Sequence, residues 1–222
     1  DKVNTVSESY AKEIQNSYFG EGLDYALRMR NDDLEGIVNG ISYEKFDPKS
    51  DKDIYYNYSK ENINDKLKNK KKLQKEIGLP VNKNIPLIGI VTRLVEQKGI
   101  DLITAILEEA ISKEEMQFLV LGTGQKEYEN YFYKMAENYP EQVAAQIKYD
   151  SKLAQKIYAG LDMFLMPSQF EPCGLSQLIS MRYGTIPIVK ETGGLKDTVI
   201  PYDEFEDKGY GFSFANFNAH DM

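Results

Sequence analysis

Residues 86–100 read Pro86-Leu87-Ile88-Gly89-Ile90-Val91-Thr92-Arg93-Leu94-Val95-Glu96-Gln97-Lys98-Gly99-Ile100: a short apolar run, a polar loop, and the entry to a second apolar pattern. Consecutive apolar positions suit a strand covered on both faces, since a strand with one wet face alternates apolar with polar. The same unit then repeats. Apolar runs at 117–122, 146–149, 163–167 and 186–189 alternate with helical patterns near 100–111, 125–138, 151–159, 174–183 and 194–199. This predicts an α/β protein built on a Rossmann-like parallel sheet with helices on both faces. Such sheets bind ligands at the carboxyl ends of their strands, so chemistry is expected in the loops after residues 92, 122, 149 and 167.

Outward from this core the pattern is looser. Residues 2–7 read as a short strand, with Ser7 as N-cap of a helix over 8–16. A second helix is expected over 61–77, closed by Gly78 and Pro80, with Lys70-Lys71-Lys72 as its solvated face. Of 222 residues, 41% are hydrophobic and 28% charged, with 16 Gly and 8 Pro, which excludes a disordered, collagenous or membrane-spanning chain. Thirty-five acidic against 27 basic residues give a net charge of −8, the wrong sign for binding nucleic acid or an anionic membrane. Any anionic ligand must therefore be held by a local basic site. Cys173 is the single cysteine, so no internal disulfide and no Cys-rich zinc site can form, and a reducing cytoplasmic setting is expected. The single histidine, His220, leaves no Ser-His-Asp or Cys-His engine inside the fold. Neither a metal nor a cofactor is expected. The chain opens on Asp1 and reads as a piece of a longer one.

Three loops carry candidate chemistry. Arg93 and Lys98 bracket the step from a strand end to a helix start, where the macrodipole already favours an anion; together they suit a diphosphate, although ordinary surface charge is the bland alternative. Gly122-Thr123-Gly124 lacks the third glycine and the following acidic residue of a dinucleotide fingerprint, so a tight turn is expected and a Rossmann dehydrogenase is disfavoured. Pro167-Ser168-Gln169-Phe170-Glu171-Pro172-Cys173-Gly174-Leu175-Ser176 sets a carboxylate, a thiol and open amides at a helix start. With no histidine to activate it, Cys173 reads as a small buried residue. A further Gly-rich turn, Thr192-Gly193-Gly194, would face the same crevice. A nucleotide-sensing module would use the amides but would have no need of Glu171.

These residues resemble the bacterial glycogen and starch synthases, retaining glucosyltransferases of the GT-B fold. The resemblance rests on Val3-Asn-Thr-Val-Ser7, Gly36-Ile-Val-Asn-Gly-Ile41, Phe46-Asp-Pro48, Arg93 through Gly99, Phe170-Glu-Pro-Cys-Gly-Leu175, Tyr183-Gly-Thr-Ile-Pro187 and Thr192-Gly-Gly-Leu-Lys-Asp-Thr-Val199, in the family's order. It implies the C-terminal, donor-binding half of a GT-B fold spanning 36–222, preceded in 1–35 by the last β-α unit of an N-terminal domain and the linker. The rest of that domain, and the final crossover helix, would lie outside these residues. The implied reaction transfers glucose from ADP-glucose to the non-reducing end of an α-1,4-glucan, with UDP-glucose as the alternative donor. By the same resemblance Arg93 and Lys98 would hold the diphosphate and Glu171 would face the glucose. Cys173 would lie near the donor, and the amides of Gly174, Leu175 and Ser176 would cradle the distal phosphate. Tyr149 would stack on the nucleobase, Asn39 would lie near the donor sugar, and Thr192, Gly193 and Gly194 would line the crevice. Ser176 stands where the family often has Thr, which keeps the hydroxyl.

Overall fold

The computed structural model describes residues 1–222. A six-stranded, fully parallel sheet runs in the order β5-β4-β3-β6-β7-β8, from β3 (Leu87–Val91), β4 (Gln117–Leu121), β5 (Val143–Gln146), β6 (Met163–Met166), β7 (Ile186–Lys190) and β8 (Phe212–Phe214). The winding leaves β3 in one direction through β4 and β5, then returns to its other side with β6. This reversal makes the gap between β3 and β6 the topological switch point, where the two outgoing loops part and leave a crevice.

Successive side chains of β3 and β4 enter opposite cores. Leu87, Leu119 and Leu121 pack under α3 (Lys66–Glu76), α6 (Ser151–Gly160) and α7 (Ser176–Arg182) with Leu73, Ile157, Ile179 and Phe164. Ile90, Phe118 and Val120 pack under α4 (Ile100–Lys113) and α5 (Lys126–Asn138). In α4 the buried Ile100, Ile103, Leu107 and Ile111 form one stripe at helical spacing. Two apolar faces on one strand are what the unbroken runs encode. No helix is long and apolar enough to cross a membrane.

A separate two-stranded parallel sheet pairs β1 (Val3–Thr5) with β2 (Leu34–Gly36), joined through α1 (Glu8–Glu13) and α2 (Asp24–Met29). Ser7 caps α1, accepting from the Tyr10 amide at 3.0 Å.

Three expectations shift. The strand expected at 146–149 lies at Val143–Gln146, because Val143 and Ala145 pair with Phe118 and Val120, and the chain then turns toward Asp150, which caps α6. The elements α2, β2 and β8 add to those the sequence pattern predicts. Lys70 does not share the solvated face of Lys71 and Lys72: it is buried, its ammonium 2.6 Å from the Asp162 carboxylate and donating to the carbonyls of Lys83 (3.1 Å) and Ile85 (2.7 Å).

Lys66, a turn earlier on α3, is tied down in the same manner, donating to Ala159 O at 2.9 Å and Thr185 Oγ1 at 2.7 Å at the end of α6. Burial is the main cause that lowers its pKa to about 7. A lysine with a depressed folded-state pKa weakens the fold while both states carry the proton, and that cost is relieved as pH rises above the folded pKa. The stability of the parent relative to Lys66→Met should therefore grow between about pH 7 and pH 9.5, as read by urea unfolding. Tyr55, Tyr58 and Tyr183, whose hydroxyls burial holds protonated, titrate alike in parent and variant and cancel in this difference. A flat difference would remove Lys66 as the cause.

Candidate active site

The loops after β3 and β6 meet backbone to backbone. Gly99 adopts φ 71°, and a Cβ there would stand 2.1 Å from the Pro167 carbonyl oxygen, so only glycine permits the approach. The Gln169 amide donates to Gln97 O at 3.1 Å across the same seam. The contact sets Lys98 opposite Glu171, with Nζ 2.5 Å from Oε2, and Ser168 Oγ 3.4 Å from that same oxygen. Both side chains are largely withdrawn from water, where their attraction is stronger but is offset by desolvation, and where losing one partner leaves the other charge uncompensated. On the other side, the turn 122–124 is zipped to the Arg93–Val95 loop by Leu94 N donating to Thr123 O (2.9 Å) and Gln125 N to Leu94 O (2.8 Å). Arg93 is left exposed.

α7 starts at this crevice with no side-chain cap, so its first-turn amides are open. Gln177, fully buried, donates through Nε2 to Cys173 O (2.9 Å), Gly174 O (3.0 Å) and Thr198 Oγ1 (3.0 Å), turning those carbonyls inward. Ser176 Oγ accepts from Tyr158 OH at 3.1 Å, and burial pushes the Tyr158 pKa up, keeping it a donor. Lys98, Glu171, Gly174, Leu175 and Ser176 share one small cavity. Arg93, Thr123, Tyr149 and Gln155 line an adjoining cleft of about 380 Å³, and Val91 and Thr92 form the wall between the two. Tyr149 stands at its rim, 92% exposed.

Other candidates sit differently. Cys173 is buried against α8 (Gly193–Thr198). The Gly193 and Gly194 amides are engaged within the protein: Gly194 N donates to the carbonyls of Glu171 (3.2 Å) and Pro172 (3.1 Å), and Gly193 N to Glu13 Oε1 (2.8 Å). The Thr192 hydroxyl lies 3.4 Å from both Glu13 oxygens. Asn39 is exposed and lines neither cleft. The largest groove, about 860 Å³ between α7 and β8, is lined by Met181, Tyr202, Tyr210 and Phe212 among others and carries no charged side chain, so it suits no diphosphate. Glu13, Tyr158 and Gln177 join the site without a signal in the sequence pattern. Each acts through a partner distant in sequence or through the fold of a turn, so nothing in the neighbouring residues marks it.

The arrangement, with a lysine–glutamate pair beside open helix amides at the switch point of a parallel sheet, is that of one half of a glycosyltransferase built on the GT-B plan. The chain belongs to the group 1 glycosyl transferases, whose family model matches residues 69–222, and residues 1–29 match the starch synthase catalytic domain. Along its whole length it is similar to glycogen synthases, 55% identical to that of Clostridium acetobutylicum over 222 residues and 52% to that of Thermosipho melanesiensis over 219. It spans about half the length of these curated relatives, 46% and 45%. Among solved structures, the catalytic domain of starch synthase IV from Arabidopsis thaliana, bound to ADP and acarbose, superposes with TM-score 0.91 at 35% identity, over 99% of this chain and 46% of that one.

Gly194 gives a direct test of the loop packing. A Cβ there would lie 2.3 Å from Cys173 O, against main chain that cannot swing away. Gly194→Ala should lose about 1–3 kcal/mol in urea unfolding, the usual cost of overpacking. A neutral substitution would show that α8 and the Glu171 loop are free to separate.

Proposed function

We propose that the chain is the donor-binding half of a glycogen synthase, transferring glucose from ADP-glucose to the non-reducing end of an α-1,4-glucan with retention. The observation that carries this reading is the juxtaposition of Lys98 and Glu171 at the switch point, beside the open amides of α7. The reaction breaks the bond between the sugar's C1 and the diphosphate, so negative charge grows on the phosphates while C1 becomes cationic. Arg93, Lys98 and the amides of Gly174, Leu175 and Ser176 serve the first change, and the Glu171 carboxylate, one cation away, serves the sugar. Glycoside hydrolysis would ask for two carboxylates flanking the bond, and Glu171 is the single acidic residue in the cavity it shares with Lys98. Tyr149 offers a face to the base, while Cys173, Thr192, Gly193 and Gly194 pack behind the loop that carries Glu171. Cys173, single and buried, suits a cytoplasmic setting.

The ADP found with the Arabidopsis starch synthase, together with identity to glycogen synthases above 50%, favours an adenine nucleotide over UDP. In this reading residues 1–35 close an N-terminal domain and 36–222 hold the donor, so the 222 residues alone bind nucleotide but transfer no glucose. Closure of two domains around the reacting centre is worth roughly 7–11 kcal/mol when fully realised.

Calorimetric titration with ADP, UDP and AMP should give ADP the tightest binding. Lys98→Ala should weaken it by about 2–5 kcal/mol, the usual loss when one partner of a shielded charge pair is removed, and Arg93→Ala, at an exposed side chain, by about 1 kcal/mol. Equal ADP affinity in parent and both variants would rule the clamp out, and a preference for UDP would move the protein to another GT-B transferase. In the intact enzyme Glu171→Gln should lower kcat by about 10²–10³, far more than it raises the donor KM. A Gln variant running at full rate would strip Glu171 of its role.

A further inference from the structure

Helix α1 belongs by connectivity to the β1–β2 unit, yet two of its polar residues, Ser9 and Glu13, bond to α8 of the larger unit. Ser9 donates from its amide to Asp197 Oδ2 at 2.9 Å and from its hydroxyl to Asp197 Oδ1 at 2.5 Å. One turn further along α1, Glu13 accepts from the Gly193 amide at 2.8 Å, and Gly193 lies one turn before Asp197 on α8. The two helices therefore run antiparallel in reciprocal register, with a carboxylate from each meeting donors on the other. An anionic side chain at the first turn of a helix is also favoured by its peptide dipoles.

The same segment grips the other side of the Glu171 loop. Phe170 packs edge-on against Tyr10 with ring centroids 5.5 Å apart and stacks on Phe19 at 5.8 Å, while Gln169 Nε2 donates to Tyr18 OH at 2.7 Å. Glu171 is thus held from both directions. Residues 169–170 just before it rest on 10–19, and its carbonyl accepts from the Gly194 amide, whose neighbour Gly193 is capped by Glu13.

We infer that Glu13 is a positioning residue for Glu171: by fixing the start of α8 it fixes the main chain that carries the carboxylate, and so sets where that carboxylate stands relative to the donor sugar. The inference rests on the donor-site reading above, and it assigns Glu13 a selective effect. Arg93 and Lys98 lie on the β3 loop, which α8 does not hold, whereas the amides of Gly174, Leu175 and Ser176 share the loop with Glu171, so loss of Glu13 should weaken binding of the diphosphate less than recognition of the sugar.

The test titrates the 222-residue chain and its E13A and E13Q variants with ADP and, separately, with ADP-glucose. Amide hydrogen exchange is followed in the same samples. In E13A the Kd for ADP should rise by about threefold or less while that for ADP-glucose rises about tenfold or more. E13Q, which keeps an acceptor oxygen but not the charge, should fall between. Amides of 171–175 and 193–195 should exchange about tenfold faster in E13A, with β3 and β4 unchanged. Equal weakening of both ligands, or no change in either, would overturn the positioning role. So would unchanged exchange, whether or not nucleotide binds. A parent that binds neither ligand yet shows the exchange difference would sink the donor-site reading and leave the Glu13 contact to the loop standing. Should E13A fail to fold, the same measurements on E13Q decide, with smaller shifts expected in the same directions.

Discussion

The approach of the β3 loop to the β6 loop is the constraint on which the site depends. A parallel sheet that winds outward and then returns to its starting strand must leave a crevice beside that strand, and here the crevice walls are main chain. Gly99 lets one loop rest on the carbonyl of Pro167 in the other. Without that contact the Lys98 ammonium and the Glu171 carboxylate, 73 residues apart in sequence, would have no reason to meet. The remaining features follow from it: α7 begins where the second loop ends, Gln177 fixes that turn from below, and α8 closes it from behind.

Charge follows the same logic. The molecule is acidic overall, so the cationic groups at the crevice owe their position to local structure and not to a general basic surface. Two other lysines turn their ammonium groups into the fold, Lys70 fully buried and Lys66 half-buried, where carbonyls, a hydroxyl and Asp162 satisfy them. Each ties α3 to chain that brackets the sheet: Lys70 to the approach to β3, and Lys66 to the end of α6.

The sheet was legible because strands buried on both faces have no choice but unbroken apolar runs, as in Leu87–Val91 and Gln117–Leu121. It became less legible toward the edges. β5 uses two alanines, which by propensity favour helix over strand, so its state and position depend on pairing with β4. β8 is three residues long and owes its state to the ladder with β7. In the site, residues on the crevice loops could be read because glycines, cations and a carboxylate cluster there within a few positions. Glu13 could not. Its partner lies 180 residues away, and in the local sequence it is one more acid on a short helix. The lysine run misleads for a related reason: a periodicity argument sees which face of a helix is polar but not that Asp162 stands opposite Lys70.

The main-chain character of the crevice also bears on how such a protein can diverge. At Gly99, Gly193 and Gly194 the nearest neighbours of any added side chain are backbone atoms, within 2.1 to 2.3 Å. Those positions offer no graded series of variants: a methyl group is already too much, so the geometry there is kept or lost as a unit. Walls made of side chains are different. Tyr149 and Gln155 border the neighbouring cleft, and Leu175, 47% exposed, stands at the mouth of α7. Substitutions at such places change shape and polarity without moving the chain behind them. Descendants of this fold that come to prefer another base or sugar therefore have a rim to rewrite, while the floor that presents the carboxylate and the ammonium stays fixed.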